Sequence, residues 1–162
     1  MKKVLLCLLG IFLVMIENSI TNYLGILNIS FNIVIIYMTI ISLYVDEFEV
    51  GVIGAIVGII KDITVGGIFG VNGLILFAIA YSISHLRDKI YKESSITIFA
   101  LVFITSLFDS MVNIATVSVV YHTYGLLNLA IKGIVIIPLA NSLLSVFLYK
   151  ISKKSVLKLK ED

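Results

Sequence analysis

Residues 18–45 form a stretch of twenty-eight positions without one charged side chain. Similar uncharged runs cover residues 4–16, 50–60, 63–84, 94–108, 110–131 and 133–149. A water-soluble domain of this size keeps much of its surface in water and cannot hide so many apolar runs. Only 14% of the 162 residues are charged and 60% are hydrophobic, against roughly 25% charged in an ordinary soluble domain. The medium around most of this chain is therefore lipid.

Lipid restricts the choice of structure. Backbone N–H and C=O groups find no water there, so a spanning segment is either a helix or part of a closed barrel. Barrel strands alternate apolar and polar residues over ~10 positions, whereas IVIIYMTIISLYV and ITIFALVFI are apolar on every side. The fold class expected is an all-α integral membrane protein. A helix crossing a ~30 Å core needs ~20 residues. Lone charges such as Glu17, Asp109 and Lys132 interrupt runs without ending spans. Six spans result, over 4–23, 27–45, 50–62, 66–84, 95–120 and 126–149, in a single transmembrane domain with a basic tail over 150–162. The third run is eleven residues, ~16 Å of helix, so the third segment is expected to be short or re-entrant.

Ten of the twelve basic residues fall in three groups: Lys2 and Lys3; Arg87, Lys89 and Lys92; and Lys150, Lys153, Lys154, Lys158 and Lys160. Short basic loops stay cytoplasmic. Four spans separate the first group from the second and two the second from the third, even numbers in both cases, so all three groups and both termini share the cytoplasmic side. The acidic loop with Asp46, Glu47 and Glu49 joins them, which the rule permits. The start, MKKVLLCLLGIFLVM, has the order of a signal peptide but no small-residue cleavage site, and reads as an uncleaved first helix. One cysteine, Cys7, and two distant histidines, His85 and His122, give no support for a disulfide or a metal site.

Seven of the eleven glycines lie in EVGVIGAIVGIIKDITVGGIFGVNGL: Gly51, Gly54, Gly58, Gly66, Gly67, Gly70 and Gly73. Gly54 with Gly58, and Gly66 with Gly70, are GxxxG pairs that let helices approach closely where lipid supplies no hydrophobic drive. Packing alone explains such pairs; a break that shapes a cavity or partner surface is the functional alternative. Asp62 either caps a helix N-terminus or meets a partner.

The pattern Gly54, Gly58, Asp62, Gly66, Gly67, Gly70, Asn72 and Leu74, with the preceding NIVIIYMTIISLY helix, the length and the six-span layout, resembles the MreD family of bacterial rod shape-determining membrane proteins. One departure is Phe31, where the family usually has proline before the residue matching Asn32. The resemblance implies a bundle similar to the S-components of energy-coupling-factor vitamin transporters. It also implies a non-enzymatic scaffold of the cell-wall elongation machinery in the bacterial inner membrane. The partners it implies are MreC first, then MreB, RodA and a class B transpeptidase. It places the Asp62 segment, as a partner or packing motif, on the extracytoplasmic side.

Intramembrane polar residues are costly and so are candidates for function, at ~2.5–3.5 kcal/mol per charge on insertion scales. Glu17 and Lys132 lie at similar depths below the outer ends of their helices, and a Glu17–Lys132 pair is one expectation; the other is that Lys132 snorkels alone. Ser106, Asp109, Asn113 and Thr116 share one face of the fifth helix. That stripe reads as interhelical glue, a ligand-cavity wall or a partner contact. No nucleophile elbow, phosphate loop or His–Ser–Asp arrangement appears, so neither catalysis nor a cofactor is expected. The basic tail reads as a topology anchor near anionic lipid rather than a nucleic-acid site. A vitamin-binding subunit of a transporter is the alternative function. It would carry small residues on helix one for its partner, where residues 4–15 offer only Cys7 and Gly10.

Overall fold

The structure, a computed structural model, describes residues 2–24, 31–65, 68–91, 94–121 and 131–157. Among these residues six α-helices run in chain order: α1 (Lys2–Leu24), α2 (Ile33–Ile41), α3 (Glu47–Val65), α4 (Val71–Leu86), α5 (Ser95–Tyr121) and α6 (Ile137–Leu157). A single 3₁₀ turn, Arg87–Lys89, follows α4, and a five-residue π-helical turn, Lys132–Ile136, leads into α6. The all-helical class is as expected. Three helices, α1, α5 and α6, are long and apolar enough to cross a membrane.

Three of the expected lengths change. The third segment, expected over 50–62, is an unbroken helix of 19 residues, Glu47–Val65. Hydropathy ends the segment at Lys61 and Asp62, but both side chains turn inward, so the helix passes through them. The short helix is instead α2, with nine residues where 27–45 was expected. Asn32 caps its start, its side chain accepting from Ile35 N–H, and turns replace helix after Ile41. At the chain's end the helix runs past 149 to Leu157, because KISKKSVL contains no breaker and lysine is a good helix former.

Seven of the nine α2 residues are buried, so this helix is the centre of the bundle. One side, Val34, Ile35, Met38 and Ile41, packs with Val14 of α1, Val50, Ile53 and Val57 of α3, and Leu76 and Ala80 of α4. The other, Ile36 and Ile40, packs with Ile75, Ile79 and Ile83 of α4, Ile98 and Val102 of α5, and Tyr149 of α6. An apolar residue on every side is what a helix buried on every side requires.

Helices α3 and α4 form a hairpin, the most extensive pairing in the molecule. A Cβ on Gly54 would lie 2.7 Å from the Leu76 carbonyl oxygen. On Gly58 it would lie 2.5 Å from Gly73 Cα and closer still to the Asn72 carbonyl oxygen. This GxxxG pair is therefore a packing surface, backbone against backbone. Of the second pair, Gly66, like Gly67, lies outside the described residues, and Gly70 sits in the turn with φ +92°, a conformation open to glycine.

Charged side chains gather at one end of the bundle. Lys3 pairs with Glu49, Arg87 Nη2 donates to Asp46 Oδ1 (2.8 Å), and His85 Nδ1 meets Glu47 Oε2 (3.2 Å). Ser84 Oγ donates to the Val45 carbonyl at the same level (2.7 Å). The acidic 46–49 loop thus sits among the residues flanking two of the basic groups, which is why it can share their end.

Candidate functional site

The buried start of α2 lies where α1, α3, α5 and α6 meet. A helix start leaves its first N–H groups without intrahelical acceptors, and in lipid these need protein partners. Glu17 supplies one: its Oε2 accepts the Val34 N–H at 2.9 Å. Its Oε1 lies 2.9 Å from Lys61 Nζ. Lys61 also donates to Asn32 Oδ1 (3.0 Å), the atom that caps Ile35.

Asn32 connects this pair to the other half of the bundle. Because its Oδ1 receives two donors, its Nδ2 faces away and donates to Asp109 Oδ2 on α5 (3.2 Å). Its backbone N–H donates to Asn141 Oδ1 on α6 (2.9 Å), and Asn141 Nδ2 donates to Ser106 Oγ on α5 (3.0 Å). Asn113 Nδ2 donates to Asp109 Oδ1 (3.1 Å) and to the Asp109 carbonyl (2.9 Å). One connected network therefore joins Glu17, Lys61, Asn32, Asp109, Asn113, Asn141 and Ser106 across all five helices. Charge in a low-dielectric interior is tolerated when it is paired and hydrogen-bonded.

Asp62, next to Lys61, faces the α3–α4 turn. Its Oδ2 accepts from Gly70 N–H (2.9 Å) and Gly73 N–H (3.3 Å), and its Oδ1 from Asn72 N–H (3.2 Å) and Asn72 Nδ2 (2.7 Å). Of the two roles open to Asp62, the structure gives it the capping one, at the N-terminus of α4.

The expected residues thus fall into two groups. Gly54, Gly58, Asp62, Gly70 and Asn72 build the α3–α4 hairpin, and Glu17, Asp109 and Asn113 enter the buried junction. Ser106 joins them, while Thr116 bonds back to the Val112 carbonyl (2.7 Å) within its own helix. Lys61 stands beside Glu17; the expected Glu17–Lys132 pair falls on a lysine whose side chain lies outside the described residues. Lys61, Asn32 and Asn141 were not singled out from the sequence. Asn32 and Asn141 stand 109 positions apart, so no local spacing links them. Lys61 carried a readable signal, since a lysine inside a 19-residue helix bordered by apolar runs must either snorkel or find an acid.

A buried polar junction inside a mostly apolar helical bundle defines a membrane protein whose helices are fastened by interior hydrogen bonds. The family model for rod shape-determining protein MreD matches residues 1–154, and the chain belongs to the MreD family. It is accordingly a rod shape-determining membrane protein. No curated protein and no solved structure matches it.

Proposed function

We propose that this chain is a non-enzymatic scaffold of the cell-wall elongation machinery, acting in the bacterial cytoplasmic membrane. It binds MreC and works alongside MreB, RodA and a class B transpeptidase. Both termini on the cytoplasmic side is the arrangement that the basic groups favour, and a bundle of about six membrane helices similar to an S-component is what the family resemblance implies. The observation that carries this reading is the family match over residues 1–154. The junction supports it: the polar groups of Glu17, Lys61, Asn32 and Asp109 are engaged with one another, as suits a body that holds its shape while partners bind outside.

The test is complementation joined to co-purification. In a rod-shaped bacterium depleted of its own MreD, this chain expressed with its cognate MreC restores rods, and MreC is retained on the tagged chain in detergent extracts. Spherical cells, with no MreC retained although the chain is present in the membrane, refute the reading.

A further inference from the structure

The α3–α4 hairpin has an unusual tip. From residue 50 to residue 84 its only charged residues are Lys61 and Asp62, and these are 8% and 2% exposed, both directed into the protein. What the tip presents outward is Ile63, Val65, Phe69 and Leu74, each between 57% and 71% exposed, with Ile68 beside them; the exposed Thr64 turns its hydroxyl back onto the Ile60 and Lys61 carbonyls (3.0 Å each). A turn that meets water normally carries polar residues.

The apolar surface is also continuous with the hairpin's flank. On α3, Val52, Ile56, Ile59 and Ile63 are all exposed at intervals of four, three and four, which places them on one stripe. That stripe runs into the tip without a polar break. At its other end the hairpin reaches Glu47, His85 and Arg87, the charged level of the molecule.

Length supplies an independent argument. Nineteen residues of α3 rise ~28 Å and sixteen of α4 ~24 Å, whereas the hydrocarbon core is ~30 Å thick. With its charged end held among headgroups, the hairpin stops short of the opposite headgroup layer. Helix α5, at 27 residues, rises ~40 Å and reaches it.

A turn ending in hydrocarbon must satisfy its backbone without water. Among the described residues of the turn, several of these groups have protein partners. Asp62 takes three N–H groups at the start of α4, at Gly70, Asn72 and Gly73, while Val71 N–H bonds the Ile68 carbonyl (3.2 Å). Asn18 Nδ2 reaches the Thr64 carbonyl from α1 (3.4 Å).

We infer that the tip formed by Ile63, Val65, Ile68, Phe69 and Leu74 is a lipid-contacting surface, held among the acyl chains of the leaflet opposite the charged end. Its occupant is bilayer hydrocarbon, and the surface requires only that the chain lie in a membrane, not that it bind MreC.

The test uses single-cysteine reporters, Val65→Cys and Phe69→Cys, in the full chain carrying Cys7→Ser. Asp88→Cys, at the charged end, is the water-facing control. Each chain is placed alone in phospholipid nanodiscs, where both faces meet solvent, and treated with a membrane-impermeant maleimide. The expected result is labelling at positions 65 and 69 at least about tenfold slower than at 88, because the tip is withheld from water. Bimane attached at 69 in detergent before reconstitution is expected to be quenched by brominated acyl chains. Labelling of either tip cysteine within about twofold of the control rate overturns the inference. Since no other protein is present, such labelling would assign the tip to water or to an absent partner.

Discussion

The Glu17 carboxylate on α1 and the Lys61 ammonium on α3 lie 2.9 Å apart in the interior of the bundle, and both also hold the start of α2. The pair is a junction as well as a charge match. Lys61 reaches the Asn32 cap while Glu17 takes a backbone donor of the same helix. Removing one partner of a buried ion pair costs about 3–5 kcal/mol. We therefore expect Lys61→Met and Glu17→Gln each to lower the thermal midpoint of the detergent-solubilised protein strongly. The double variant is expected to lose less than the sum of the two, because it leaves no orphan charge. Additive losses would mean that the two side chains do not depend on one another.

Asp62 provides a second test. Its two oxygens serve four donors at the α3–α4 turn, where water is not available to replace them. Asp62→Ala is expected to destabilise by about 2 kcal/mol or more, the upper range for losing a helix cap. Asp62→Asn keeps one acceptor oxygen and is expected to fall between the two. Fluorescence-detected size-exclusion chromatography after heating ranks the three proteins. Equal stability of Asp62→Ala and the parent would remove the capping role.

The glycines of α3 are not equivalent. A Cβ on Gly58 meets backbone, with Gly73 Cα 2.5 Å away, whereas on Gly51 it meets the Phe77 ring at 3.0 Å. Backbone cannot step aside without separating α3 from α4, and overpacking of this kind costs about 1–3 kcal/mol. A side-chain ring can turn. Gly58→Ala is expected to reduce the yield of folded protein in membranes markedly and Gly51→Ala only slightly. The same order is expected in rod-shape complementation.

Legibility in the sequence followed the range of the interactions. Asp62 could be read as a cap because its donors lie eight to eleven residues away within one glycine-rich turn. The membrane environment and all-helical fold could be read because hydropathy sums over whole segments. The ends of α2 could not, since residues 33–45 are almost uniformly apolar and hydropathy has no edge there; Asn32 sets the boundary through its cap. The Glu17–Lys61 pair was not legible for a related reason. Depth along a helix is readable from residue counts, but which helices are neighbours is a tertiary property, and α1 packs on α3. Lys61 therefore stood nearer to Glu17 than counting could reveal.

Asp109 separates a hydrogen-bonding role from a charge role on α5. Its two oxygens accept from different amides, Oδ2 from Asn32 and Oδ1 from Asn113. Asp109→Asn retains one acceptor oxygen, enough for Asn32, while Asn113 keeps the backbone carbonyl of residue 109. Asp109→Leu retains neither side-chain oxygen and takes the acceptor from the part-buried Asn32 amide, a loss of about 1–3 kcal/mol. That loss falls on the residue linking α2 to α3, α5 and α6, so it loosens one half of the bundle from the other. The expected order of thermal midpoints is parent, then Asp109→Asn close behind, then Asp109→Leu well below. Lys61→Met and Asp109→Leu both disturb Asn32, so their combined loss is expected to fall short of the sum, since coupled neighbours are not additive. A double-mutant cycle in detergent micelles measures this coupling. A value near zero would show that the two halves of the bundle are fastened independently.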